Sequence, residues 1–380
     1  MLRLTLSQKI NNIPFTFKST GIRVYSFEET LYHVYHYWRE SADEFLSAQC
    51  ITWVELLGHT FIASKMKELS FVESFKEQIT GFLQLAPFYD ETDLHQLIIK
   101  LESWESRLEW EKYKERGDYF VEKNEPQKAI PLYHMALKSD ENPQVLNNLG
   151  VAYMLLGRFD ESYSVLAHAL SIESENSELL LHFTEAAILS GRVNIGENAV
   201  GKYEELHPNS ADAAFLNGLL AFQKNDYQNA FKYYQAAHQT DPENDYYVYK
   251  MVDALLCMRR YDLALDNLIN GINKRTGEFH AKEAEIYAAS GDNTGAIKAM
   301  KTAAHMNPDS NYYARLAGYY RTDYNPRLAA EAIAKALDID PDCDLARMEN
   351  ARNKKGLGRT REYQAALNEL LGSLKDRYRW

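Results

Sequence analysis

Residues 211–242 read ADAAFLNGLLAFQKNDYQNAFKYYQAAHQTDP, and this stretch decides the fold. Its apolar positions recur at helical spacing on both sides of Lys224-Asn225-Asp226. That pattern predicts two short amphipathic helices, over about 211–223 and 227–239. Asp241-Pro242 stops the second, because proline lacks an N–H and disfavours helical backbone in the residue before it. Small residues, Gly218, Ala221, Ala230 and Ala237, stand where the two helices would touch. Phe222, Tyr227, Phe231 and Tyr234 fill the space around them. The physical reason is close approach: helices packed about 8–10 Å apart leave room for only a hydrogen or a methyl at the crossing. Larger neighbours then bring the flanks to interior density.

The unit recurs along the chain at a period of roughly 33–34 residues. One column of small residues collects Ala136, Ala169, Ala237, Gly271, Ala303 and Ala336, with Tyr203 as its exception. A second holds Ala129, Ala230, Ala264, Ala296 and Ala329, with Ser162 and Gly196 at the remaining places. A third, at the break between helices, holds Gly157, Gly191, Asn225 and Gly291, types that tolerate a left-handed backbone. A fourth closes the unit with Pro208, Pro242, Pro308 and Pro341.

On these residues the chain resembles the tetratricopeptide repeat family, a helix–turn–helix repeat with this Gly/Ala, Tyr/Phe and late Pro pattern. The resemblance covers about residues 110–341 as seven units, with a degenerate eighth to the C-terminus. It is clearest over 110–142, 143–176 and 211–244. The unit from Asp245 departs from it, with Val252 in place of the early glycine, and the next begins about two residues early. The resemblance implies an all-α fold: a right-handed α–α superhelix, preceded here by a small helical N-terminal domain with a short β-hairpin. It further implies a concave groove lined by the first helix of each pair.

The repeat register puts Asn147, Asn148, Val151, Leu181, Glu185, Phe215, Leu219 and Phe222 on that groove. Tyr246, Tyr249, Lys250, Asp253, Tyr312, Arg315 and Tyr319 follow on the later units. Phe215, Leu219, Phe222, Tyr246 and Tyr249 would form a contiguous apolar patch, the kind of surface on which aromatic anchors dominate binding. Lys250 and Arg315 would orient acidic groups of a ligand. Some tetratricopeptide domains clamp a chaperone's C-terminal carboxylate with Lys and Asn residues. Lys114 and Asn148 match that pattern, but Asp118, Glu178 and His182 stand where Asn, Lys and Arg are expected. Two carboxylates there would repel the ligand, so the resemblance implies no working clamp.

At 380 residues the chain is long for one core, a limit that a repeat array escapes because each unit packs only on its neighbours. The net charge of −12 opposes nucleic-acid binding, which needs a basic face. From Leu345 onward bases outnumber acids, as in Arg347, Arg352, Lys354, Lys355, Arg359, Arg361, Lys375, Arg377 and Arg379. A solvated capping face explains this, with an acidic docking patch as the alternative reading. Cys50, Cys257 and Cys343 are scattered, with no disulfide framework or metal spacing. No leader-like or membrane-spanning run appears, so we expect a cytoplasmic protein without membrane contact.

The first residues alternate, through Leu2, Leu4, Leu6, Ile13, Phe15, Phe17, Ile22 and Val24. This predicts a hairpin or meander over 1–25, which must lie on helices because so few strands are unstable alone. Ser26–Glu29 and Ser70–Glu73 read as capping boxes, the second opening a helix to about Leu85. Further helices are expected around Ala42–Leu46, Ile51–Leu57 and Phe61–Leu69. An amphipathic run from Asp90 to Leu108 is expected to continue into the first repeat, coupling the two regions stiffly. The domain division is therefore 1–108, 109–343 and a capping pair over 344–380, split at Lys355-Gly356-Leu357-Gly358. Residues 1–108 resemble no family.

Phosphate-loop, dinucleotide, zincin and serine-hydrolase motifs are absent. His33 and His36 could share a helix face, but with no acidic or cysteine partner at ligand spacing they read as aromatic packing beside Tyr32 and Tyr37. The expectation is a non-enzymatic scaffold, without cofactor or metal, that binds a peptide or protein segment. The alternative is a peptide-sensing regulator whose N-terminal domain is repositioned by a groove-bound signalling peptide. An enzyme built on His33 and nearby carboxylates is a third reading.

Overall fold

A computed structural model describes the backbone of residues 13–341 and 343–377, with side chains as far as residue 372. Among these residues there are twenty-one α-helices and one two-stranded sheet, so the fold is all-α apart from a hairpin. The chain divides into two compact units, Met1–Ala186 and Ala187–Trp380, and each is described by itself.

The first unit opens with β1 (Phe15–Thr16) and β2 (Arg23–Val24), antiparallel, with Phe15 opposite Val24. The expected strand around Leu2, Leu4 and Leu6 lies outside the described residues. Five helices follow: α1 (Phe27–His36), α2 (Ala48–Leu56), α3 (Thr60–Leu69), α4 (Phe75–Leu83) and α5 (Glu91–Glu105). Their shared core includes Phe17 and Val24 of the hairpin region together with Phe27, Leu31, Phe45 and Phe82. The hairpin is thus stabilised by burial against helices, as two isolated strands require.

Three local expectations are corrected. Ser70 ends α3, its hydroxyl donating to the Lys67 carbonyl, and Ser74 opens α4 by accepting from the Glu77 N–H. The Ser-x-x-Glu spacing occurs at both places, and the serine that follows the Phe71–Val72 turn is the one used. Residues 42–46 form successive turns rather than an α-helix. The run from Asp90 does not continue into the first repeat. It breaks at Ser106–Leu108, where the Glu111 carboxylate takes the Leu108 N–H and starts a new helix. Ser26 and Glu29 do cap the start of α1: Ser26 accepts from the Glu29 N–H, and the Glu29 carboxylate reaches back to accept from the Tyr25 N–H.

The repeats of the first unit are the pairs α6 (Glu109–Glu122) with α7 (Pro126–Ser139) and α8 (Pro143–Leu155) with α9 (Phe159–Ile172). Helix α10 (Ser177–Leu189) spans the boundary between units. The N-terminal core and the core around Phe120, Tyr133 and Leu149 form distinct clusters. Polar groups join them. Arg116 of α6 pairs with Asp43, and Glu115 is 3.1 Å from Arg39 and also pairs with Arg107. Lys128 of α7 donates to the Ser19 carbonyl at 2.9 Å.

The second unit begins with α11 (Val193–Leu206) and continues as α12 (Ala211–Gln223) with α13 (Tyr227–Thr240). Next come α14 (Asp245–Cys257) with α15 (Tyr261–Gly271) and α16 (Gly277–Ser290) with α17 (Asn293–Met306). The pairs α18 (Ser310–Thr322) with α19 (Pro326–Ile339) and α20 (Asp344–Gly356) with α21 (Thr360–Arg377) complete it.

The alanine columns point inward: Ala129, Ala136, Ala169, Ala230, Ala237, Ala264, Ala296, Ala303, Ala329 and Ala336 are all fully buried. At the turns Gly157, Gly191, Asn225 and Gly291 adopt positive φ, as their residue types suggested. Asn124, Arg259, Tyr324 and Gly358 do the same at the other turns within pairs, although Arg259 and Tyr324 are side chains that disfavour that backbone. The last pair buries Ala346, Ala351, Ala366 and Leu370, none of which a column had marked. Lys375, Arg377 and Arg379 lie outside the described side chains. Arg352 pairs with Glu349 within α20, and Arg359, just ahead of α21, pairs with Glu362.

Candidate functional site

In the second unit α16 stands between α14 and α18. Lys282 of α16 donates to Asp253 of α14, and Tyr312 of α18 lies against Gly277 at the start of α16. The face these first helices share carries seven of the residues the register assigned to a groove: Tyr246, Tyr249, Lys250, Asp253, Tyr312, Arg315 and Tyr319. Arg315 and Tyr246 are exposed, while Lys250, Tyr312 and Tyr319 are half-buried.

The apolar patch is corrected. Phe215, Leu219 and Tyr249 are 5%, 4% and 7% exposed, and only Tyr246, at 41%, offers a large surface. Phe215 is covered because its ring meets those of Tyr234, Tyr246 and Tyr247 at centroid distances of 6.0, 5.5 and 5.7 Å. Phe222 is half-buried and meets Tyr227 edge-on at 5.2 Å. The Tyr234 and Tyr227 contacts lie within the α12–α13 pair, while those to Tyr246 and Tyr247 join it to the next pair, packing that competes with ligand contact in a stacked repeat.

Charge on this face is held in place. The Lys282 ammonium lies 2.7 Å from Asp253 Oδ1 and 2.9 Å from Glu285 Oε2. Burial disfavours its charge, but the two carboxylates outweigh burial and raise its pKa above the ordinary lysine value. Lys250 Nζ sits 3.9 Å from the other Asp253 oxygen and 5.0 Å from the centre of the Tyr246 ring. Burial and then Glu278 push the Tyr249 hydroxyl up to about 12. Burial also raises the pKa of the Glu278 carboxyl; Lys282 opposes the shift and Asp245 adds to it.

Beside this network is an open cleft of about 430 Å³. Asp241, Glu243, Asn244 and Asp245, from the end of α13 to the start of α14, form one side, and Tyr246, Tyr249 and Glu278 form the other. Register reasoning missed Glu278, Lys282 and Glu285, because the repeat spacing shifts at residues 272–276. The acidic density of residues 241–245 was legible, but it fell at a helix junction, outside the columns.

In the first unit Asn147 is buried, donating to Glu178 Oε1 at 3.0 Å while its own Oδ1 lies 2.8 Å from His182 Nδ1. Asn148 donates to Asp118 at 2.6 Å, as does the Tyr133 hydroxyl at 2.8 Å.

Residues 114–174 and 186–245 match the family model described as Tetratricopeptide repeat. Over these stretches the chain carries tetratricopeptide repeats. A TPR repeat-containing protein of Methanocaldococcus jannaschii is 28% identical over 212 residues, which are 54% of this chain and 34% of that protein. The chain thus spans about a third of the length of this curated relative. Among solved structures, a tetratricopeptide repeat protein from Parabacteroides merdae is 18% identical over 63% of this chain and 97% of its own, with a TM-score of 0.45. YrrB, described as a TPR protein with an unusual peptide-binding site, is 21% identical over 48% of this chain and 95% of its own, with a TM-score of 0.33.

The first tetratricopeptide pairs also show why the carboxylate clamp does not assemble. Lys114, which matches the clamp, is 2.7 Å from Asp118, the same carboxylate that takes the Asn148 amide. Asp118 therefore occupies both matching donors from within the chain.

The other histidine reading resolves as packing. His33 is buried and stacks on Phe17 at 3.8 Å and on Tyr37 at 5.1 Å, while His36 is exposed beside Tyr32.

Proposed function

We propose that the chain is a non-enzymatic scaffold that holds a segment of another protein on the face formed by α14, α16 and α18. The observation that supports this most is the Asp253–Lys282–Glu285 network flanked by the tyrosines Tyr246, Tyr312 and Tyr319. Side chains already fixed by their own partners lose little freedom when a ligand arrives, so more of the contact energy appears as affinity. Tyrosine adds large amphipathic contact area with few rotatable bonds. In this reading Asn147, Asn148, Phe215, Leu219 and Phe222 hold the pairs together, and the ligand meets Tyr246, Tyr312, Arg315 and Tyr319. The cytoplasm suits this role, since Cys257 is exposed as a free thiol. No helix among the described residues is long and apolar enough to cross a membrane.

A photo-crosslinking residue placed at Arg315, on the first helix of its pair, should capture partner protein in native lysate. The same residue at Ala334, exposed on α19, should not. Equal capture from both positions would reject the assignment of the face.

A second reading, in which a bound segment repositions the N-terminal domain, is favoured by the polar junction formed by Arg116–Asp43 and by Arg39 and Arg107 with Glu115. Ion pairs between separate cores open at less cost than a shared apolar core. Protease sensitivity at residues 106–108 that changes on adding partner would support it.

A further inference from the structure

We propose that protonation of His33 frees the hairpin turn over residues 17–21 from the Glu44 carboxylate. The result is an acid-sensitive contact at the place where the N-terminal domain meets the first repeat pair. This goes beyond the scaffold reading and does not depend on the face formed by α14, α16 and α18.

The Glu44 carboxylate spends both oxygens on this turn, accepting from the Lys18 N–H at 2.7 Å and from the Ser19 N–H at 2.9 Å. The Ser19 carbonyl in turn takes the Lys128 ammonium of α7 at 2.9 Å. Against the same turn lies His33 of α1, only 1% exposed. Its ring stacks on Phe17 at 3.8 Å, and its Nε2 is 3.4 Å from Thr20 Oγ1. Its Nδ1 is buried and makes no hydrogen bond among the described residues. Few groups around the ring titrate. Tyr37 lies 5.1 Å away on α1, and Glu44 acts on the ring from the 42–46 turns. The hairpin's own contacts, Phe17 and Thr20, do not titrate. Cys50 of α2 also feels Glu44, but its buried thiol is pushed up to about 12 and stays neutral in acid.

A neutral imidazole donates from one nitrogen only, so the closed turn can leave Nδ1 as a bare lone pair. Imidazolium donates from both, and the closed turn holds no acceptor for the second N–H. A proton from solvent that binds Nδ1 therefore puts an unpaired charge into an apolar stack. Glu44 is the carboxylate whose charge acts on the ring, but its oxygens are committed to Lys18 and Ser19. If it turns to His33 it drops those amides; if the ring swings out to water it leaves Phe17 and Thr20. Either movement opens the turn. Burial accordingly lowers the His33 pKa to about 4, against the pull of Glu44. In the open turn the ring meets water and returns to its ordinary 6.5, so acid between these values favours opening.

The test is hydrogen exchange of the full chain, read by mass spectrometry, with protection taken relative to unstructured peptides at the same pH. Protection over residues 15–25 should fall by about tenfold or more between pH 7 and pH 5. Over α12 and α13 it should change by less than about twofold. His33→Phe keeps the ring without the proton site, and His33→Gln is neutral at every pH. Melting curves establish which of them folds, and either folded variant should hold its hairpin protection down to pH 5. Glu44→Gln should lower hairpin protection already at pH 7, because a neutral amide grips the two N–H groups less strongly. Unchanged protection of the unaltered chain at pH 5 would overturn the proposal. So would an equal loss in the His33 variants, an equal loss over α12 and α13, or full protection at pH 7 in Glu44→Gln.

Discussion

The ring of Tyr234 occupies the space where a side chain on Gly218 would stand: a methyl carbon built there lies 2.5 Å from Cδ1 and Cε1 of that ring. Gly117 and Tyr133 repeat the relationship one end of the array away, again at 2.5 Å. The absent side chain and the large one are a matched pair, which sets how closely α12 and α13 approach.

Gly218→Ala should therefore destabilise the chain by about 1–3 kcal/mol through overpacking, despite the better helix propensity of alanine. Gly201 of α11 faces open space, and Gly201→Ala should instead stabilise by up to about 1 kcal/mol. Urea midpoints of the two variants should move in opposite directions. Ala237→Leu, at a fully buried column position, should cost a similar 1–3 kcal/mol, roughly the same overpacking range.

Tyr324 closes the α18–α19 turn at φ 55° with its side chain 94% exposed. A left-handed tyrosine is strained by roughly 1–2 kcal/mol, whereas glycine is at ease there but loses more chain entropy on folding. Tyr324→Gly should raise stability by about 0.5–1 kcal/mol. A lower melting temperature would show that the ring contributes something its exposure does not reveal.

Burial lowers the His33 pKa from 6.5 to about 4, against the attraction of Glu44. The folded chain thus binds this proton more weakly than the unfolded chain. Its contribution is intact above pH 6.5 and is lost as the pH falls from there toward 4, levelling off below. The loss is on the order of 3 kcal/mol. His33→Phe should keep the stack on Phe17 and flatten that part of the pH–stability curve. A curve of unchanged slope would assign the acid sensitivity to other groups.

Arg116 is buried while its partner Asp43 is largely exposed. Water screens the carboxylate, so Asp43→Asn should cost no more than about 1 kcal/mol. Arg116→Ala also removes a buried side chain whose guanidinium lies 6.0 Å from the centre of the Tyr113 ring, and it should cost more, with faster proteolysis at residues 106–108. Equal effects of both changes would make the junction purely electrostatic.

The sequence by itself determined the helix pairs. Close packing permits only small residues at the crossings, and a repeat imposes that rule at every period, so Ala129, Ala230 and Ala329 announce their burial without coordinates. Glycine at the turns was legible because φ is a local property that its residue type favours; Arg259 and Tyr324 were not, because their side chains disfavour the positive φ they adopt. Only the tertiary structure decided which groove residues are covered. Phe215 and Tyr249 share the periodicity of an exposed face, and it is the next helix pair that hides them. The pairing of charge was likewise a three-dimensional outcome: Lys282 of α16 meets Asp253 of α14, a partner that neither helix's own sequence names.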